Sequence, residues 1–225
     1  RRAQIGIEML RSGDWIVPRQ QGQIFFSRPP LQNWIIIGIG ILRGQVDVVA
    51  IRLPSVLSIL AITLLVYGYA RTILSQIGAF AAGAAICTMG EVLEQGRTGE
   101  TEGLYILLLG GAILVWHWGY CRRGPSLATW CLSYFFIALA TLAKGAQAPV
   151  YFAATVGLFL ILTKRWRDLF TWRHLAGIGV FAAVWGAWQI PYFMEVGLDA
   201  TKRMYANDVA LRFTDVGWAT IAAHV

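Results

Sequence analysis

Charged residues are spaced along this chain so that six uncharged runs lie between them, at 53–70, 72–90, 103–121, 124–143, 145–163 and 174–194. Each run is 18 to 21 residues long. A helix of that length rises about 1.5 Å per residue and crosses a hydrocarbon core of about 30 Å. Lipid offers no partner to a backbone N–H or C=O, so runs of this kind must be helical. Strands of a membrane barrel would show about ten residues of alternating polarity, and none of the runs alternates. Only 14% of residues are charged and mean hydropathy is +0.57, whereas a soluble domain is about a quarter charged. The sequence therefore predicts an all-α, polytopic transmembrane bundle. Six spans would occupy 53–194, after an outer juxtamembrane region at 1–52 that carries short helices. The stretch 195–225 would begin a further outer segment, in a fragment truncated at both ends.

The loops between these spans alternate in charge. Arg71 follows span one, Arg122 and Arg123 follow span three, and Lys164, Arg165, Arg167 and Arg173 follow span five. The intervening loops carry Glu91, Glu94, Glu100 and Glu102 against Arg97, or Lys144 alone. The excess of cations on cytoplasmic loops places the basic loops inside and the acidic one outside. Trp116, Trp118, Trp130, Trp166 and Trp172 stand near the inner ends of their spans and read as interfacial anchors. Residues 1–52 then lie outside despite Arg1, Arg2, Arg11, Arg19, Arg28, Arg43 and Arg52. Such a surface is a solvated charged loop, a contact with anionic lipid, or a phosphate-binding surface.

Local signals divide the outer region. Residues 1–11 suit a short helix with Ala3, Ile7 and Leu10 on one face, stopped by Ser12-Gly13. Asp14 to Phe26 reads as irregular loop. Pro29-Pro30 restarts a helix, and the run 29–42 is too short to span, which suits an interfacial or re-entrant helix. Pro54 falls in the first turn of span one, Pro149 opens span five and Pro191 closes span six.

Few residues stand out chemically. Cys87, Cys121 and Cys131 lack metal-ligand spacing and read as small apolar residues. His117 reads as a satisfied or snorkelling histidine. Gly38, Gly40 and Gly44 have the wrong third spacing for a nucleotide loop and suit close helix packing. Glu100 and Glu102 at the mouth of span three are either loop acids favoured by a helix N-terminus or a general base, charge stabiliser or metal ligand. Lys144 is either a loop lysine reaching water or a phosphate anchor at the bilayer surface.

Several short stretches occur together in order: Glu8-Met9-Leu10-Arg11-Ser12-Gly13-Asp14-Trp15-Ile16-Val17-Pro18, Phe25-Phe26-Ser27-Arg28-Pro29-Pro30-Leu31-Gln32-Asn33-Trp34 and Arg52-Leu53-Pro54-Ser55. Gly96-Arg97-Thr98 with Glu102, Ala143-Lys144-Gly145, and Ile190-Pro191-Tyr192 before Asn207 and Arg212-Phe213 follow. In this order they resemble the bacterial GT-C glycosyltransferases, in particular the branch of the aminoarabinose transferase of lipid A and the distant protein O-mannosyltransferases.

That resemblance implies a sugar donor on a polyprenyl phosphate, a lipid or protein acceptor, reaction on the non-cytoplasmic face, and a multi-pass protein of the plasma (inner) membrane. It implies contact with membrane lipids and no nucleic-acid partner. Glu102 would be an acidic catalytic residue, standing where many members have Asp. Arg28, where the family usually has Lys, Lys144, Arg212 and Asp14 would bind substrate. A further acid would lie in an Asp-Glu pair upstream of Arg1. Ser27 replaces a frequent acidic residue, so a divalent metal stays an open question and no cofactor is assigned. A leaving phosphate needs fixed cations, and an acceptor hydroxyl needs a base or an oriented carboxylate. The rival readings are a transporter or flippase subunit for lipid-linked substrates, and an inactive scaffold.

Overall fold

The computed structural model describes residues 2–26 and 28–213, without the side chains of Arg123 and of residues 207–213. The described chain is a helical bundle of polytopic membrane type. It begins with α1 (Arg2–Ser12), a two-residue-strand hairpin of β1 (Arg19–Gln20) and β2 (Gln23–Ile24), and α2 (Leu31–Arg43). The long helices follow: α3 (Val48–Ala70), α4 (Gln76–Thr88), α5 (Gly90–Thr98), α6 (Thr101–Arg123), α7 (Leu127–Lys144), α8 (Gln147–Leu162) and α9 (Trp172–Phe213). Among the described residues four helices are long and apolar enough to cross a membrane, or five if the pair α4 and α5, bent by 57°, counts as one. The 16 residues of α8 fall short of that length.

Several boundaries differ from the sequence reading, each for a local reason. Helix α3 starts before Arg52 because the Asp47 side chain accepts from Ala50 N at 2.9 Å and caps it. Pro54 therefore sits inside the helix rather than in its first turn. The acidic stretch after span two is largely helix α5, ended by Gly99 with φ +68°. Pro191 does not end α9, which continues to a break at Gly197 (φ +76°) and resumes beyond it. In α1 the buried residues are Arg2, Ile5, Gly6 and Met9, while Leu10 is exposed. That face, not Ala3-Ile7-Leu10, packs because Gly6 lets Ile37 of α2 approach. The loop after α1 folds into the hairpin because Glu8 accepts from the backbone N–H of Gln21 (2.8 Å) and Gly22 (2.6 Å), holding a turn with two positive φ values.

Lipid tails are as apolar as leucine, so helix association here depends on close packing rather than on burial from water. Small residues supply it. An added Cβ at Gly103 of α6 would come within 3.3 Å of Ser55 on α3, and one at Gly110 within 3.1 Å of Ile62. At Gly177 of α9 it would meet Tyr134 at 2.6 Å and the Trp130 carbonyl at 3.1 Å on α7. Trp116 and Trp130, 2% and 0% exposed, pack into the core with Ile137, Phe152 and Leu160. They are not interfacial anchors, unlike the exposed Trp118, Trp166 and Trp172. Large apolar side chains such as Ile77, Phe80 and Leu162 point outward, which suits lipid rather than water.

The amino-terminal region is fastened to one end of this bundle. Trp188 Nε1 of α9 donates to Ile16 O at 2.9 Å, and Val17 packs with Leu142, Tyr192 and Met204. Arg71, Arg122, Lys164, Arg165, Arg167 and Arg173 lie at the opposite end, where α3, α6 and α8 finish and α9 starts.

Gly99→Ala is expected to destabilise the protein by about 1–3 kcal/mol, because it adds a Cβ 2.8 Å from Ile51 at a residue with φ +68°. A detergent-solubilised thermal or denaturant melt measures it; an unchanged melt would mean this junction is loosely packed.

Candidate functional site

The start of α6 and the end of α7 meet at the end of the bundle covered by the segment before α2. Thr101 and Glu102 occupy the first turn of α6, where the helix N-terminus favours a carboxylate. Lys144 is the last residue of α7, before Gly145 with φ +103°, and thus belongs to a helix rather than a loop. Arg28 comes from the loop that Pro29-Pro30 turns into α2.

These three side chains converge. Arg28 Nη1 donates to Glu102 Oε1 at 3.0 Å, and Lys144 Nζ lies 3.3 Å from the same oxygen. Arg28 Nη1 also donates to Thr101 Oγ1, and that hydroxyl lies 3.3 Å from Glu102 Oε2, to which it donates. Lys144 sits over the Tyr105 ring at 5.0 Å, a cation–π contact. Arg28, Glu102 and Lys144 are 22%, 21% and 19% exposed, so water screens the cluster only in part. Both cations touch one oxygen, so their nitrogens are no more than about 6 Å apart. At an effective dielectric constant of about 20, two unit charges at that distance repel by roughly 3 kcal/mol. The pair needs an anion between its members, and Glu102 is that anion in this structure.

A second ion pair stands beside the first. Arg2, 6% exposed, donates from Nε to Glu100 Oε2 at 3.3 Å and lies over the Phe25 ring at 5.8 Å. Desolvation pulls the Arg2 guanidinium below its ordinary value, Arg28 adds to the fall, and Glu100 and Glu102 oppose it. Glu100 joins three elements, since Ser55 Oγ of α3 also donates to its carbonyl at 3.1 Å. Arg2, Thr101 and Tyr105 are not singled out by the sequence. Arg2 is one arginine among seven in the outer region, and only the packing of α1 shows that it is buried.

The other residues drawn from the resemblance fare differently. Asp14 has local employment: its Oδ1 accepts from Ile16 N (3.1 Å) and Val17 N (3.0 Å), and Oδ2 pairs with Arg19 at 3.3 Å. The structure does not bring it into the cluster. Arg212 lies in the last turns of α9, and its side chain is outside the described residues, as is Ser27. His117 accepts or donates a hydrogen bond at 2.6 Å with Tyr69, in keeping with a satisfied histidine. Among the described residues no group of three or more His, Cys, Asp or Glu side chains is arranged to hold a metal ion.

This geometry has counterparts. Residues 27–188 match the profile of the dolichyl-phosphate-mannose-protein mannosyltransferase family. The chain belongs to that family. The match starts one residue before Arg28 and includes Glu102 and Lys144. The fold agrees with two crystal structures of ArnT from Cupriavidus metallidurans. One is bound to undecaprenyl phosphate (TM-score 0.75, 21% identity), and the other is in the apo state (TM-score 0.77, 20% identity). Each comparison covers 87% of this chain and 37% of the ArnT chain, so this chain spans just over a third of that protein's length. No curated protein matches it. The GT-C resemblance read from motif order and the family match therefore agree.

Glu100→Ala is expected to cost about 1–3 kcal/mol, the price of leaving the buried Arg2 donor without its acceptor. Glu94→Ala, on the exposed face of α5, should be near neutral. Equal unfolding midpoints for the two variants would show that the Arg2–Glu100 pair is not a structural tie.

Proposed function

We propose that this chain carries the donor-phosphate end of a membrane glycosyltransferase, which moves a sugar from a polyprenyl phosphate to a hydroxyl of a lipid or protein acceptor. The observation that carries this reading is the convergence of Arg28 and Lys144, from segments far apart in sequence, at one end of a spanning bundle. Paired cations at a bilayer surface suit a phosphate whose prenyl tail stays in lipid. Family membership and the fold shared with ArnT, a protein crystallised with undecaprenyl phosphate, support the same donor class.

The chemistry follows from charge. The bond between the sugar's anomeric carbon and the phosphate oxygen breaks, and its electron pair leaves with the polyprenyl phosphate. Arg28 and Lys144 would stabilise the charge growing on that oxygen. The acceptor oxygen forms the new glycosidic bond and loses its proton to a base. Glu102, beside both cations, would orient or help deprotonate that hydroxyl. Arg212 of α9 would add a third cation. By the positive-inside rule the basic end at Arg71, Arg122, Lys164 and Arg165 would lie in the cytoplasm, and the reaction would then proceed on the opposite face of the plasma membrane.

Purified full-length protein with a polyprenyl-phosphate sugar and acceptor should release free polyprenyl phosphate, and Arg28→Ala or Lys144→Ala should slow release by about 10²–10³-fold. Wild-type turnover in both variants would remove the assignment. A transporter would move the lipid without releasing the phosphate. In intact cells, Arg28→Cys and Lys144→Cys proteins should both react with a membrane-impermeant maleimide from the outside. Labelling of either only after the cytoplasmic side is opened would reverse the proposed orientation.

A further inference from the structure

The two cations assigned to the donor phosphate are both held by one atom, Oε1 of Glu102, at 3.0 and 3.3 Å. A phosphate oxygen bound between Arg28 and Lys144 would stand where that carboxylate oxygen stands now. Three of the charges come from elements that cannot easily drift apart. Glu102 is fixed in the first turn of α6, Lys144 in the last turn of α7, and Arg28 just before a diproline. The Glu102 carboxylate can turn about its own side-chain torsions without moving α6.

We propose that Glu102 is an internal stand-in for the donor phosphate, holding Arg28 and Lys144 in place until the phosphate displaces its carboxylate from them. The inference rests on the phosphate-site reading above and adds an order of events to it. Donor binding and release of Glu102 are one exchange, so the carboxylate becomes available to the acceptor hydroxyl only when the donor is seated. The charges agree. Arg28, Lys144 and Glu102 sum to one positive charge, and the neighbouring Arg2–Glu100 pair adds none. A sugar phosphodiester carries one negative charge, so it neutralises the cluster once it takes the position of the carboxylate. The groups facing Glu102 are Arg28 from the loop, Lys144 from α7, and Arg2, whose charge is felt across from α1. Thr101 Oγ1, now donating to Oε2, can keep one hydrogen bond to the carboxylate as it turns.

The exchange makes a prediction opposite to that for an ordinary binding residue. In full-length protein in detergent micelles, Glu102→Gln should bind undecaprenyl phosphate at least tenfold more tightly than wild type. In turnover it should lower KM for the donor and lower kcat as well. Glu102→Asp, which keeps the charge but withdraws it by one methylene, should show a smaller gain in affinity. Lys144→Ala should bind more weakly. A helical melt like that of wild type would confirm that each variant is folded, and misfolded Glu102→Gln protein would be replaced in the comparison by Glu102→Asp. Unchanged or weaker binding by Glu102→Gln, with wild type binding normally, overturns the stand-in and leaves the phosphate site intact. Binding by Glu102→Gln alone supports it. Failure of every form to bind undecaprenyl phosphate overturns both the stand-in and the phosphate-site reading.

Discussion

One carboxylate oxygen holding two cations organises this end of the molecule. Arg28 and Lys144 are 116 positions apart in the chain, and nothing local would place them near one another. Brought together without an anion they would repel. Glu102 turns that repulsion into attraction, and it can do so because a helix N-terminus presents it there. The surrounding ties serve the same end. Thr101 shares Arg28 with Glu102, Tyr105 lies under Lys144, and Glu100 is bound to Arg2 and Ser55. Charged groups at a membrane surface with about a fifth of their area exposed are costly to hold unpaired, and here each has a partner of opposite sign.

That arrangement needs helices that approach closely. Glycines at 103 and 110 seat α6 against α3, Gly119 seats α6 against Thr129 of α7, and Gly177 seats α9 against α7. In lipid such contacts are the main attraction between helices, so the placement of Glu102 beside Lys144 depends on residues without side chains. The amino-terminal region reaches the same end through Trp188 and the Val17 cluster. This contact anchors the segment that precedes Arg28 to that end of the bundle. The family match begins at residue 27 and runs to Trp188, so it spans the Arg28, Glu102 and Lys144 segments together with one half of that tie.

Much of the fold was legible in the chain because lipid imposes a coarse rule: apolar runs must be helical and must be long enough. The rule misjudged details settled by single contacts. It could not see that Asp47 would start α3 ahead of a charged arginine, nor that α9 would pass through Pro191 and bend at Gly197. It placed Trp116 and Trp130 at the interface because tryptophan is common there, whereas packing buried them. It chose the wrong face of α1, because Ala3, Ile7 and Leu10 are as apolar as Ile5 and Met9 and only the neighbouring α2 distinguishes them.

By itself the sequence determined that the chain is a polytopic helical membrane protein whose loops between spans alternate in charge. Both follow from hydropathy and charge, which are properties of residues read one after another. Its ordered motifs also pointed to Arg28, Glu102 and Lys144 as separate candidates. Only the tertiary structure decided that these three share one oxygen, that a buried Arg2 stands beside them, and that Asp14 is engaged in its own turn. Ion pairs between distant segments depend on distances of 3 to 4 Å, and distances of that kind are set by how helices pack, which no local pattern in a chain encodes.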